Sequence, residues 1–196
     1  MRKALLALWI LLPVGGWAYH EGPGQDRLRL DAVDGLVATA HAAAIAGDHA
    51  TAAGKYDEAL AKLPSGNDPI ARAMRLERAK AWMQSEKLPD ARADLERLVG
   101  ELEKDGTDAT MLAGARRSLA NARYYFTWLM RLEGLPRETW EPEIDGSRQL
   151  YRLLAEASAG GDDQKALRRS EQDLEAAILL ERLALSDLQG LPLPSQ

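Results

Sequence analysis

From Leu28 onward, apolar residues recur at i, i+3 and i+4, the spacing of one helix face. No run alternates apolar and polar as a half-buried strand would. The pattern predicts seven helices, over residues 31–46, 49–63, 69–86, 89–104, 108–133, 139–158 and 163–188. The punctuation agrees. Gly47-Asp48 separates the first two segments and Pro64-Ser65-Gly66-Asn67 ends the second. Asp68 with Pro69 opens the third and Pro89 the fourth, because a first-turn proline lacks only an N–H that has no helical partner. Gly106 closes the fourth helix, and Thr107 is the expected N-cap of the fifth. Gly134, then Gly160-Gly161-Asp162, break the chain again, and Pro192 and Pro194 prevent a helix beyond Gly190.

The N-terminus follows another pattern. Arg2 and Lys3 precede an unbroken apolar run from Ala4 to Leu12, and Gly16 and Ala18 are small residues placed for cleavage before Tyr19. Residues 1–18 are expected to be a signal peptide or, uncleaved, a short membrane anchor with Trp9 and Trp17 near the two interfaces. An exported location, periplasmic or extracellular, follows from either reading, and membrane contact through residues 4–18 follows from the uncleaved one. Residues 19–30 read as a flexible tether, 31–190 as the helical domain and 191–196 as a proline-containing tail.

Composition narrows the function classes. Ala and Leu dominate the apolar set, there is one Phe, and there is no cysteine, so disulfides, thiol catalysis and a lipid-modified cysteine are excluded. Net charge is −5, and without Arg2 and Lys3 it is −7, from 23 basic against 30 acidic residues. Such a balance argues against nucleic-acid binding.

Repeats carry the most specific signal. Leu36 and Ala40 on one helix, then Gly47, Ala52, Tyr56, Ala59 and the closing Pro64, form a small–aromatic–small–proline pattern. Ala79 and Trp82, then Ala91, Leu95 and Leu98, repeat it more loosely, with Ala122 and Tyr125 as an echo. Small residues suit places where two helices cross closely. The pattern resembles the tetratricopeptide repeat (TPR-like) family in an exported bacterial member, although Ala52 and Ala91 are farther apart than the roughly 34-residue unit of that family.

The resemblance implies an all-α, TPR-like α-solenoid of about three antiparallel helix pairs. The stripe Leu167, Leu174, Ile178, Leu185 and Leu188 would belong to a long C-terminal capping helix or, alternatively, to a seam with a second copy. Tyr124 to Leu129 and Asp187 to Pro194 further resemble exported repeat proteins encoded near MoxR-type ATPases and von Willebrand factor A-domain proteins.

What such a resemblance implies about function is protein–protein interaction, with no cofactor. The expected partner-binding face is a cationic line of His41, Lys80 and Arg123, with Met83 and Phe126 beside it, suited to an acidic peptide or protein partner. Val37 and Leu76 stand where a carboxylate clamp of that family carries polar residues. The aromatic run Tyr124, Tyr125, Phe126 and Trp128 is the second candidate, as a peptide-gripping surface or as helix packing. A self-associating structural subunit of an envelope complex is the alternative function. His20, His41 and His49 lack the converging ligands of a metal site, and no nucleophile elbow, phosphate loop, dinucleotide fingerprint or HExxH motif is present, so no enzyme is expected. The carboxylates read as solvated charge without a buried partner.

Overall fold

A computed structural model describes residues 25–106, 108–159 and 164–190. Among these residues there are seven α-helices and no strand: α1 (Gln25–Ile45), α2 (His49–Lys62), α3 (Asp68–Met83), α4 (Leu88–Asp105), α5 (Ala109–Leu132), α6 (Arg137–Ala159) and α7 (Gln164–Arg182). A 3₁₀ segment follows at Leu185–Gly190. None of the described helices is long and apolar enough to cross a membrane. The expected signal or anchor segment, residues 19–24 of the tether, the break at 160–163 and the tail 191–196 lie outside the described residues.

Several expected boundaries move. Residues 25–30 belong to α1 rather than to a tether. The N-cap of α5 is Asp108, whose carboxylate accepts the Met111 N–H at 2.8 Å, not Thr107, which is outside the described residues. Asp48 caps α2 in the same way, accepting from the Thr51 N–H at 3.0 Å. The last helix stops at Arg182, not at 188, and its final turns are capped from outside: the Arg131 guanidinium donates to the carbonyls of Leu180 and Leu183.

The chain forms two compact units that divide within α3, between Met74 and Arg75. In the first, α1 packs on α2 and the core is Val33, Ala40, Tyr56, Ala59 and Met74. Ala40, Ala52 and Ala59 have no exposed surface, as a close helix crossing requires. Tyr56 fills the space beside them, and the His41 ring meets it edge-on at 5.9 Å.

In the second unit, neighbouring helices pack in sequence order. The α5 helix is buried on two faces. Ala115, Leu119 and Ala122 join Leu76, Ala79, Ala91, Leu95 and Leu98 in one cluster. Ala120, Tyr124 and Met130 join Trp140, Ile144, Tyr151 and Leu180 in another. Polar groups pin the second seam: Ser147 Oγ donates to the Ala120 carbonyl at 2.9 Å, and the Tyr151 hydroxyl donates to Asn121 Oδ1 at 2.6 Å. Burial pushes the Tyr124 phenol up to about 12, with Tyr125 adding to the shift, and pushes Tyr151 higher still.

The face that α7 buries differs in part from the expected leucine stripe, of which Leu188, in the 3₁₀ segment, is buried and Leu174 packs against the same core. Ser170, Asp173, Ala176, Ala177 and Leu180 are the buried positions, while Leu174 and Ile178 are only half-covered. Small and hydrogen-bonding side chains permit the closer approach. Ser170 accepts from Arg117 Nη2 at 3.3 Å and donates to the Ala166 carbonyl at 2.9 Å.

Candidate partner-binding groove

The second unit carries an open groove of about 640 Å³. One wall is the end of α3 and the start of α4, with Met83, Gln84, Glu86, Leu88 and Pro89. The other wall is the last turns of α5, with Tyr125, Phe126, Trp128, Leu129, Met130 and Glu133 beyond them. The sequence builds the first wall through a tight reversal. The Trp82 carbonyl accepts the N–H groups of both Ser85, at 3.2 Å, and Lys87, at 3.1 Å, which ends α3 at Met83. That reversal puts Glu86 at φ 62°, in the left-handed region where a side chain is strained. It is the one non-glycine residue with positive φ among the described residues; the others are Gly47, Gly66, Gly106 and Gly134. Pro89 then starts α4 without losing a helical hydrogen bond.

Helical geometry sorts the aromatic run, since successive side chains turn by about 100°. Tyr125, Phe126 and Trp128 line the groove, half-exposed. Tyr124 does not: it is wholly buried in the core, with its ring edge-on to Tyr125 at 5.8 Å. Leu129 is 40% exposed at the groove's edge, and Leu132 and Leu135, similarly exposed, follow it in the chain.

The expected cationic line is arranged differently. Lys80 is exposed but pairs along its own helix with Glu77 at 2.7 Å. Arg123 is committed to a network: it pairs with Glu96 at 2.6 Å and Glu143 at 3.8 Å, while Arg92 reaches the same two carboxylates at 3.4 and 3.1 Å. Its guanidinium lies so close over Gly146 that an added methyl group there would collide with Nη1. His41 belongs to the first unit, against Tyr56. Of the residues singled out from sequence, Met83, Tyr125, Phe126 and Trp128 therefore line the groove. Lys80, Arg123, His41 and Tyr124 do not.

One carboxylate is buried and paired, contrary to the expectation of solvated charge. Asp94 is 3% exposed and accepts from Arg75 at 2.9 Å, Arg78 at 2.7 Å and Arg97 at 3.1 Å, with Arg75 also bonded to Glu101 at 2.7 Å. Burial would raise the Asp94 carboxyl, but the hydrogen bonds from Arg75 and Arg78 outweigh it and hold the group below its ordinary value of 3.8. This cluster locks α3 to α4 and so fixes the wall of the groove that those two helices build. A partial signal was legible: Asp94 falls among Ala91, Leu95 and Leu98 on the apolar face of α4. Glu103 likewise has a cross-helix partner, Arg116 at 2.8 Å. Among the described residues, no group of three or more His, Asp or Glu side chains is placed to hold a metal ion.

No family model, no curated protein and no solved structure matches this chain.

Proposed function

We propose that this protein is an exported helical-repeat scaffold that binds a protein partner by gripping an apolar segment in the groove between the α3–α4 turn and the end of α5. The observation that carries the reading is a wide, open, largely apolar depression walled by Met83, Phe126 and Trp128. Aromatic anchors contribute much of the energy of interfaces. Rigid helices hold both walls, so little ordering cost falls on binding.

Membership of a TPR-like architecture is part of the proposal. It is supported by the full burial of Ala40, Ala52 and Ala59 in one unit and of Ala79 and Ala91 in the other, the positions at which that pattern puts small residues. Export rests on the sequence of residues 1–18.

The test is selection of short peptides from a random displayed library on the full chain, followed by binding to two surface variants. Leu129→Asp puts a charge at the groove's edge; Leu179→Asp puts one at another exposed leucine, on α7. The reading predicts enrichment of peptides with aromatic or leucine anchors, which lose about tenfold or more in affinity with Leu129→Asp and keep it with Leu179→Asp. Failure to enrich any peptide, or equal binding by both variants, contradicts it.

A further inference from the structure

We infer that the groove selects a cationic segment, one in which lysine or arginine flanks the apolar anchors, rather than the acidic one that the sequence suggested. The inference rests on the groove being a binding site, as proposed above.

Charge complementarity carries it. The charged side chains that line the groove are Glu86 on one wall and Glu133 beyond the other. Both are exposed, and neither has an ion-pair partner among the described residues. None of the cations nearby in sequence lines the groove. Arg92 is held by Glu96 and Glu143, Arg131 by the carbonyls at the end of α7, and Lys87 Nζ lies 6.0 Å from the centre of the Trp82 ring. An acidic segment entering this groove would meet two like charges on its lining, and a basic one would meet two opposite charges.

Glu86 supplies a second, independent observation. Gly47 and Glu86 sit in equivalent turns, each five residues before the buried alanine of the following helix, Ala52 or Ala91. Both turns need a left-handed residue, with φ of 80° at Gly47 and 62° at Glu86. The first turn uses the residue that adopts this conformation without strain. The second keeps a side chain there despite the strain, and that side chain is a carboxylate on the groove. Backbone strain kept at a surface is commonly kept for function.

The experiment uses two short fluorescein-labelled peptides with identical tryptophan and leucine anchors, one with lysines between them and the other with glutamates. Each is titrated into the full chain and into Glu86→Gly, Glu133→Gln and the double variant. The lysine peptide should bind more tightly than the glutamate peptide, lose affinity as salt is raised, and weaken about tenfold in the double variant. Glu86→Gly should weaken it while raising Tm, because the glycine relieves the turn; a merely structural Glu86 would not separate these two readouts. Equal binding of both peptides, lost with Leu129→Asp, overturns the charge selection and leaves the groove as a binding site. Absence of binding by either peptide, with an empty library selection, removes the groove reading itself. A dimer seen by light scattering and abolished by Leu129→Asp would give the groove to a second copy and overturn the inference.

Discussion

The two helix pairs α1–α2 and α3–α4 share a plan and are held in different ways. In the first, closure is apolar: Ala40, Ala52 and Ala59 vanish from the surface around Tyr56, and no charged side chain joins the core. In the second, Ala79 and Ala91 make the same close crossing, but a buried carboxylate with three guanidiniums is set beside it. The first turn is relaxed at Gly47, the second strained at Glu86. A hydrophobic seam tolerates variation as long as volume is kept. An ion cluster specifies one geometry, because each guanidinium must meet the same carboxylate. The added constraint falls on the pair that forms a wall of the groove.

Breaking the ion cluster should have the largest effect. Asp94→Ala removes the buried carboxylate that Arg75, Arg78 and Arg97 share, leaving Arg75 to Glu101, and should cost about 3–5 kcal/mol in chemical denaturation. Arg97→Ala removes the partner whose side chain is 70% exposed, and should cost no more than about 0.5 kcal/mol. Equal losses would mean that the cluster acts as surface charge. Overpacking the seams comes next. Ala59→Leu in the first pair and Ala91→Leu in the second should each lose about 1–3 kcal/mol, since both sites have no exposed surface to receive the added carbons.

Swapping the turn residues gives the smallest change and the sharpest contrast. Gly47→Glu should destabilise by about 1–2 kcal/mol, and Glu86→Gly should stabilise by about 0.5–1 kcal/mol, as judged from Tm. The same sign from both would contradict the equivalence of the turns.

Extremes of pH probe buried groups of the second unit. The Asp94 carboxyl is held below 3.8, so the stability it contributes is complete above that value and is lost as pH falls through its lower native pKa. At the alkaline end the sign reverses. Tyr124 keeps its proton to about 12 in the folded chain, whereas an unfolded tyrosine releases it near 10. Stability should therefore fall between those values, with Tyr151 acting in the same direction. Tyr124→Phe should flatten the fall seen by circular dichroism; an unchanged slope would show that its hydroxyl is already solvated.

How much of this was written in the sequence depends on the kind of contact. The alanine seams were legible because a small residue at helical spacing beside an aromatic has few other uses, and both seams are buried as that spacing implies. Asp94 was legible only in part, from its place among Ala91, Leu95 and Leu98. A carboxylate in a charged helix reads as solvated, and its main partners, Arg75 and Arg78, lie on another helix at a distance only the crossing decides. The face of α7 was misread for a related reason: leucines advertise burial, yet Ser170 and the alanines allow the closer approach. Adjacency grouped Tyr124 with Phe126 and Trp128, and helical rotation separates them. Met83 and the three groove aromatics could be named in advance, whereas Glu86 and Glu133 matter only through the concavity that brings them together.

The most direct test of the groove is fluorine NMR of the full chain labelled with 5-fluorotryptophan and titrated with the lysine-bearing peptide. Trp128 lines the groove and Trp140 is buried in the neighbouring core, so one spectrum holds both the probe and its control. The account predicts a saturable shift of the Trp128 resonance, assigned by Trp128→Phe, with Trp140 unmoved. A shift confined to Trp140, or no shift of Trp128 at saturating peptide, would contradict it.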